Sequence, residues 1–243
     1  SNMDHKPMFD YQLIDIPKID KINAILYFTE TFFEKERKIK LYFYNYNIVL
    51  EAEKGYSIKK DSEININDIE DINLKFIKFI IVEILNDNFN NLKTHQYVNV
   101  YYTINNKICD NVHAHCLEDQ RVLPKKQINI KKGIQALKWM NFPRQDMFET
   151  FVSIINVNYK LNFKLRIIFS DSTEYILSSL DLDSFVDLGK IEINLTQIFK
   201  TKKFPLDKNG IIQLECKNAN PNANLFNYNA RRQTLSVDHF TGG

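Results

Sequence analysis

From Gln96 to Cys216 the chain is a succession of short alternating runs separated by turn residues, and few folds are open to a sequence written that way. Leu161, Phe163, Leu165, Ile167 and Phe169 fall on one side of an extended segment, with Asn162, Lys164 and Arg166 on the other. Successive strand side chains point to opposite faces, so this alternation builds a half-buried antiparallel strand. Asp171-Ser172 supplies a tight turn into Glu174–Ser178. Comparable runs occupy Tyr97–Ile104, Lys107–Leu117, Gln127–Ile130, Phe148–Val157, Lys190–Leu195 and Ile211–Cys216. Short strands at this spacing pack as a sandwich or barrel-like layer. Within the region only Ile134–Met140, stopped by Pro143, carries a helical pattern.

The N-terminal part reads differently. Ile22, Ile25, Leu26, Thr29, Phe32 and Phe33 recur at spacings of three and four, which predicts a helix ending near Lys38. Asn67 with Glu70 forms a capping-box pattern ahead of Ile69, Ile72, Phe76, Phe79, Ile80, Ile84 and Leu85, which predicts a second helix. On that reading Ile72, Phe76, Phe79 and Ile80 are core residues and Phe76→Ala is costly. Between the two, Lys40–Leu50 alternates as a Tyr-rich strand. The expected fold class is therefore α+β: N-terminal helices with a Tyr-rich strand, followed by an antiparallel β-sandwich-like layer.

Three parts follow: residues 1–95, a β-rich domain over 96–217, and an extended or disordered tail over 218–243. The tail lacks apolar periodicity, and Leu225, Phe226 and Tyr228 are its candidate partner-binding residues. No internal repeat is evident.

Charge and composition narrow the function classes. The chain has 32 basic and 30 acidic residues, a net charge of +2, which gives no overall electrostatic grip on nucleic acid or an anionic membrane. The strongest apolar run, Phe76–Leu85, is short and carries Lys78 and Glu83, so no membrane span is expected. Three cysteines, an odd number, argue against a disulfide framework and point to a reducing cytoplasm.

The densest cluster of chemically capable residues is Cys109, His113, His115 and Cys116. Asn105-Asn106 is a plausible two-residue turn, because Asn tolerates positive φ. Ile104 then faces Lys107, Tyr102 faces Cys109, Val100 faces Asn111 and Val98 faces His113. In that register His113 and His115 share one sheet face with four apolar neighbours, where neutral, hydrogen-bonded imidazoles are the favoured state. The alternative is a zinc site on His113 and His115, completed by Cys216, Glu118 or Asp119, which makes the chain a metal-dependent hydrolase or nuclease. Cys109 lies about 13 Å along an extended strand from His113, and Cys116 points to the other face.

Other signatures are missing. There is no phosphate-binding G-x-x-x-x-G-K-[ST] loop, and six glycines leave little room for one. Neither G-x-S-x-G nor H-E-x-x-H occurs. Basic pairs such as Lys125-Lys126 and Arg231-Arg232 keep a nucleic-acid-binding module as a third reading. The leading reading is a non-enzymatic interaction or assembly subunit with a protein partner or a second copy, no catalytic residues and no cofactor.

Overall fold

The computed structural model describes residues 11–29, 35–45, 50–85, 98–116, 135–155, 162–178, 190–217 and 221–241. The chain divides into two compact units, Ser1–Arg121 and Val122–Gly243. The first contains β1 (Tyr11–Asp15), β2 (Ile22–Phe28), β3 (Arg37–Asn45), β4 (Leu50–Ile58), β5 (Ser62–Asn65), β6 (Ile77–Leu85), β7 (Val98–Ile104), β8 (Lys107–His113) and β9 (His115–Cys116). They form two antiparallel sheets, ordered β4-β3-β6-β1-β9 and β5-β2-β7-β8. The second contains β10 (Gln135–Phe142), β11 (Glu149–Ile155), β12 (Phe163–Phe169), β13 (Glu174–Ser178), β14 (Lys190–Asn194), helix α1 (Leu195–Lys202), β15 (Gly210–Lys217), β16 (Asn222–Asn229) and β17 (Thr234–His239). Its sheets are β10-β15-β12-β13 and β14-β11-β16-β17.

The two units have one topology. Numbered from its own first strand, each unit has a 4-3-6-1 sheet and a 5-2-7-8 sheet. The registers around the second strand agree as well. Ile25 faces Asn65 and Tyr101 in the first unit, and Phe151 faces Asn194 and Phe226 in the second. Asn65 and Asn194 each end the fifth strand and each accept a backbone N–H from the following turn, a 3-10 turn at Ile66–Asp68 and α1 respectively. Each is also hydrogen-bonded at 2.7 Å to the second strand, Asn65 to Asn23 and Asn194 to Glu149. The sequence traces of this duplication are Pro17-Lys-Ile-Asp20 against Pro143-Arg-Gln-Asp146, and Glu63-Ile-Asn65 against Glu192-Ile-Asn194. They are too short to stand out from periodicity alone, which is why the repeat is not evident before the topology is seen.

The second unit closes as a sandwich. Phe163, Leu165, Ile167, Ile212, Leu214 and Cys216 from one sheet meet Val152, Ile154, Ile191, Ile193, Ala223 and Leu225 from the other. Phe142, Phe169, Phe199 and Phe204 pack edge-on around the α1 end of this core.

The α+β expectation is wrong for the N-terminal part. Ile22–Phe28 and Ile77–Leu85 are strands, and helical structure near the second is limited to single 3-10 turns at Ile66–Asp68 and Leu74–Phe76. The reason lies in β6, which is buried on both faces from Ile77 to Ile84. A doubly buried strand reads as a continuous apolar run, and such a run mimics a helix in any short window. Phe79 and Ile80 are fully buried as expected, whereas Phe76 is 58% exposed. Of the helix expected over Ile134–Met140, the described part, Gln135–Met140, is strand instead, since β10 pairs along its whole length with β15. The segment read as a tail contains β16 and β17, paired as a hairpin from Asn224–His239 to Asn229–Thr234, and β16 is a central strand of its sheet. Its polar Asn positions hid the alternation that buries Ala223 and Leu225.

Candidate functional site

The histidine hairpin forms, but with a shifted register. Asn105 and Asn106 have φ of 51° and 63°, the paired positive values of a tight hairpin turn, and Ile104 faces Lys107. Between Tyr102 and Thr103 the register shifts by one residue, so Tyr102 faces Asp110, Val100 faces Val112 and Asn99 faces His113. A shift of one residue moves every later side chain to the opposite face. His113 therefore sits beside partly exposed Asn99 rather than with buried Val98 and Val100.

At Ala114 the chain leaves this sheet, its N–H bonded to Val98 O at 2.8 Å, and His115 pairs with Leu13 in the other sheet. The two histidines thus belong to different sheets. Cys109 is partly exposed, while Cys216 is buried in the core of the second unit, where burial pushes its thiol up to about 12. Glu118 and Asp119 lie outside the described residues, as do Gln127–Ile130. Among the described residues no three His, Cys, Asp or Glu side chains come together as a metal site.

The candidate partner-binding residues are placed inside the second unit. Leu225 lies in the sandwich core, Phe226 is fully buried opposite Phe151, and Tyr228 is partly exposed opposite Glu149.

A different surface emerges from the registers. The outer face of β10-β15-β12-β13 has three cross-strand rows. They run Leu137–Glu215–Lys164–Ser178, Trp139–Gln213–Arg166–Ile176 and Asn141–Ile211–Ile168–Glu174. Leu137, Trp139, Ile176 and Ile211 are 42%, 47%, 54% and 41% exposed. Between them lies a depression of about 230 Å³ lined by Leu137, Lys164, Arg166, Ile176, Gln213 and Glu215. Arg166 is ion-paired with Glu174, and Lys164 lies across from Glu215, so the charges on the face balance. The signal in the sequence was the chain's single Trp in the run Leu137–Asn141, where the alternation marks two faces without saying which is inward.

The matching face of the first unit has the same layout and the opposite environment. Its rows begin Tyr11–Glu83–Lys40 and Leu13–Ile81–Tyr42. Tyr11, Leu13, Ile81, Tyr42 and Glu83 are all buried. Both tyrosines donate to the Glu83 carboxylate, Tyr11 to Oε1 at 3.0 Å and Tyr42 to Oε2 at 2.5 Å. Burial and this hydrogen bond raise the Tyr42 phenol well above its ordinary value. Tyr44, buried and stacked on Phe79, is pushed up to about 12.

The fold thus defines a tandem of two antiparallel β-sandwich units, one open-faced. Set against family models, curated proteins and solved structures, the chain finds no match in any of the three. No helix among the described residues is long and apolar enough to cross a membrane.

Proposed function

We propose that the protein is a non-enzymatic interaction subunit that docks a protein partner on the outer face of β10-β15-β12-β13. The observation that carries this reading is the exposure of Leu137, Trp139, Ile176 and Ile211 on one face. Exposed apolar side chains on one sheet face, here interleaved with Gln213 and Arg166, cost free energy in water and are a feature of docking sites. The balanced charges of Lys164, Arg166, Glu174 and Glu215 favour a protein over a phosphate backbone, because paired charges set orientation and register without attracting a polyanion. Cys109 and Cys216, neither of them in a disulfide, suit a cytoplasmic setting.

The test uses a photo-crosslinking amino acid in place of Ile176. A discrete protein adduct is expected in extracts of the source cells, lost when Ile211→Glu is added. Adducts no different from those formed at exposed Lys60 would refute the reading. Trp139, the single tryptophan, gives a second readout, since its emission should shift to the blue on docking.

A further inference from the structure

The exposed face of β10-β15-β12-β13 is complementary to itself. We propose that its occupant is a second copy of this chain, packed face to face across a twofold axis that runs along the strands between β15 and β12. The proposal names the partner for the interaction reading above and rests on it.

A twofold axis in that position lays β10 over the partner's β13 and β15 over the partner's β12, with each cross-strand row over its own copy. The three rows of the face then decide what meets what. Glu215 lies against the partner's Lys164, and by symmetry Lys164 lies against the partner's Glu215. The opposite-charge pair on the two central strands is thus made twice. Trp139 lies against the partner's Ile176, and Ile211 against the partner's Ile168. Each of the exposed side chains of Trp139, Ile176 and Ile211 therefore meets an apolar one. Gln213 meets the partner's Arg166, amide against guanidinium. Only at the border does the match lapse, where Leu137 meets the partner's Ser178. The other in-plane axis, across the strands, fails. It sets Glu215 on the partner's Ile211, Lys164 on the partner's Ile168 and Arg166 on the partner's Arg166.

Two sheets packed face to face stand about 10 Å apart and within about 30° of alignment. That rotation displaces the corners most and the central strands, which carry Glu215 and Lys164, least. The depression of about 230 Å³ is lined from all four strands and so lies over the axis. It leaves room for the Lys164 and Glu215 side chains of both copies to cross. A contact of this kind uses the same patch twice and closes at two copies. Four strands about 4.8 Å apart and up to about 26 Å long give a face on the order of 500 Å². A standard interface buries about 800 Å² per partner. The dimer is therefore weak and reversible, with a dissociation constant on the order of micromolar.

The experiment is sedimentation velocity of the purified full chain over a concentration series. A monomer–dimer equilibrium is expected, and Ile211→Glu should abolish the dimer. Lys164→Glu alone sets carboxylate against carboxylate, and Glu215→Lys alone sets ammonium against ammonium. Each should weaken self-association about tenfold or more. An equimolar mixture of these two variants restores both opposite-charge pairs and should form a heterodimer as tight as the parent dimer. The double variant keeps an opposite-charge pair across the strands of one chain and should dimerise as the parent does. It guards against a folding fault in either single variant. A photo-crosslinker at position 176 of the purified chain should capture the Trp139 segment of another copy. A chain that stays monomeric up to about 1 mM overturns the proposal. So does a dimer indifferent to Ile211→Glu, or single variants that neither pair in the mixture nor recover in the double variant. If the purified chain stays monomeric while position 176 captures a different protein in extracts, the second copy is ruled out and the docking face stands. No adduct in either setting removes both readings.

Discussion

Leu13 and Trp139 hold the same place in two copies of one fold, and one is 1% exposed while the other is 47% exposed. Around Leu13 the side chains of Tyr11, Ile81 and Tyr42 are buried, as is a carboxylate, Glu83, held by two tyrosine hydroxyls. Around Trp139 the same positions carry Gln213, Arg166 and Glu215 in contact with solvent. The order of the first eight strands is shared and the registers match across these rows, so here the difference is one of side chains on one face. A sheet face is chemically independent of the face behind it, because alternate residues serve each. Duplicated units can therefore keep a common core and diverge on the outside.

The sharpest way to break the comparison is to remove what the second unit needs to exist. A chain ending after Lys217 lacks β16 and β17, and with them Ala223, Leu225 and Phe240 of the sandwich core. Loss of an entire unfolding transition is expected in calorimetry. An unchanged melt would mean that residues 218–243 are a tail after all.

Next come substitutions at matched positions. Leu13→Ala is expected to cost about 2–5 kcal/mol, and Trp139→Ala no more than about 1 kcal/mol, by denaturant titration. Equal costs would show that the two faces are not in different environments. Glu83→Ala removes the acceptor of two buried hydroxyls and is expected to cost about 2–3 kcal/mol, against about 0.5 kcal/mol or less for Glu215→Ala. Asn65 and Asn194 test what the units share. Each Asn→Ala change should cost about 1 kcal/mol, and a large disparity between them would weaken the case for equivalent junctions.

A pH dependence follows from a single thiol in the second core. Burial raises the Cys216 thiol from 9.0 to about 12, so the folded state keeps a proton that the unfolded chain releases. Its contribution is fully present below pH 9 and is lost as pH rises towards 12. Cys216→Ala should make the alkaline fall in stability shallower than in the parent chain. Native alkylation should modify partly exposed Cys109 and leave Cys216 unreacted.

Local sequence determined what local chemistry can decide. Alternation in Phe163–Phe169 marks a strand wherever one face is buried, and the Asp171-Ser172 turn, with Ser172 at φ 68°, fixes its hairpin with Glu174–Ser178. Asn105-Asn106 likewise specifies its turn, because few residues accept positive φ twice in succession. Tertiary structure decided the rest. Whether Phe76–Leu85 was helix or strand depended on partners on both faces, since a doubly buried strand leaves no period to read. The one-residue shift beside Tyr102 separated His113 from the face assigned to it, and the sheet change at Ala114 separated it from His115. Both depend on bonds to strands far away in sequence. The open face had no local signature either, because Leu137, Trp139 and Asn141 alternate in the same way as Lys138, Met140 and Phe142, and only packing chooses which set faces inward.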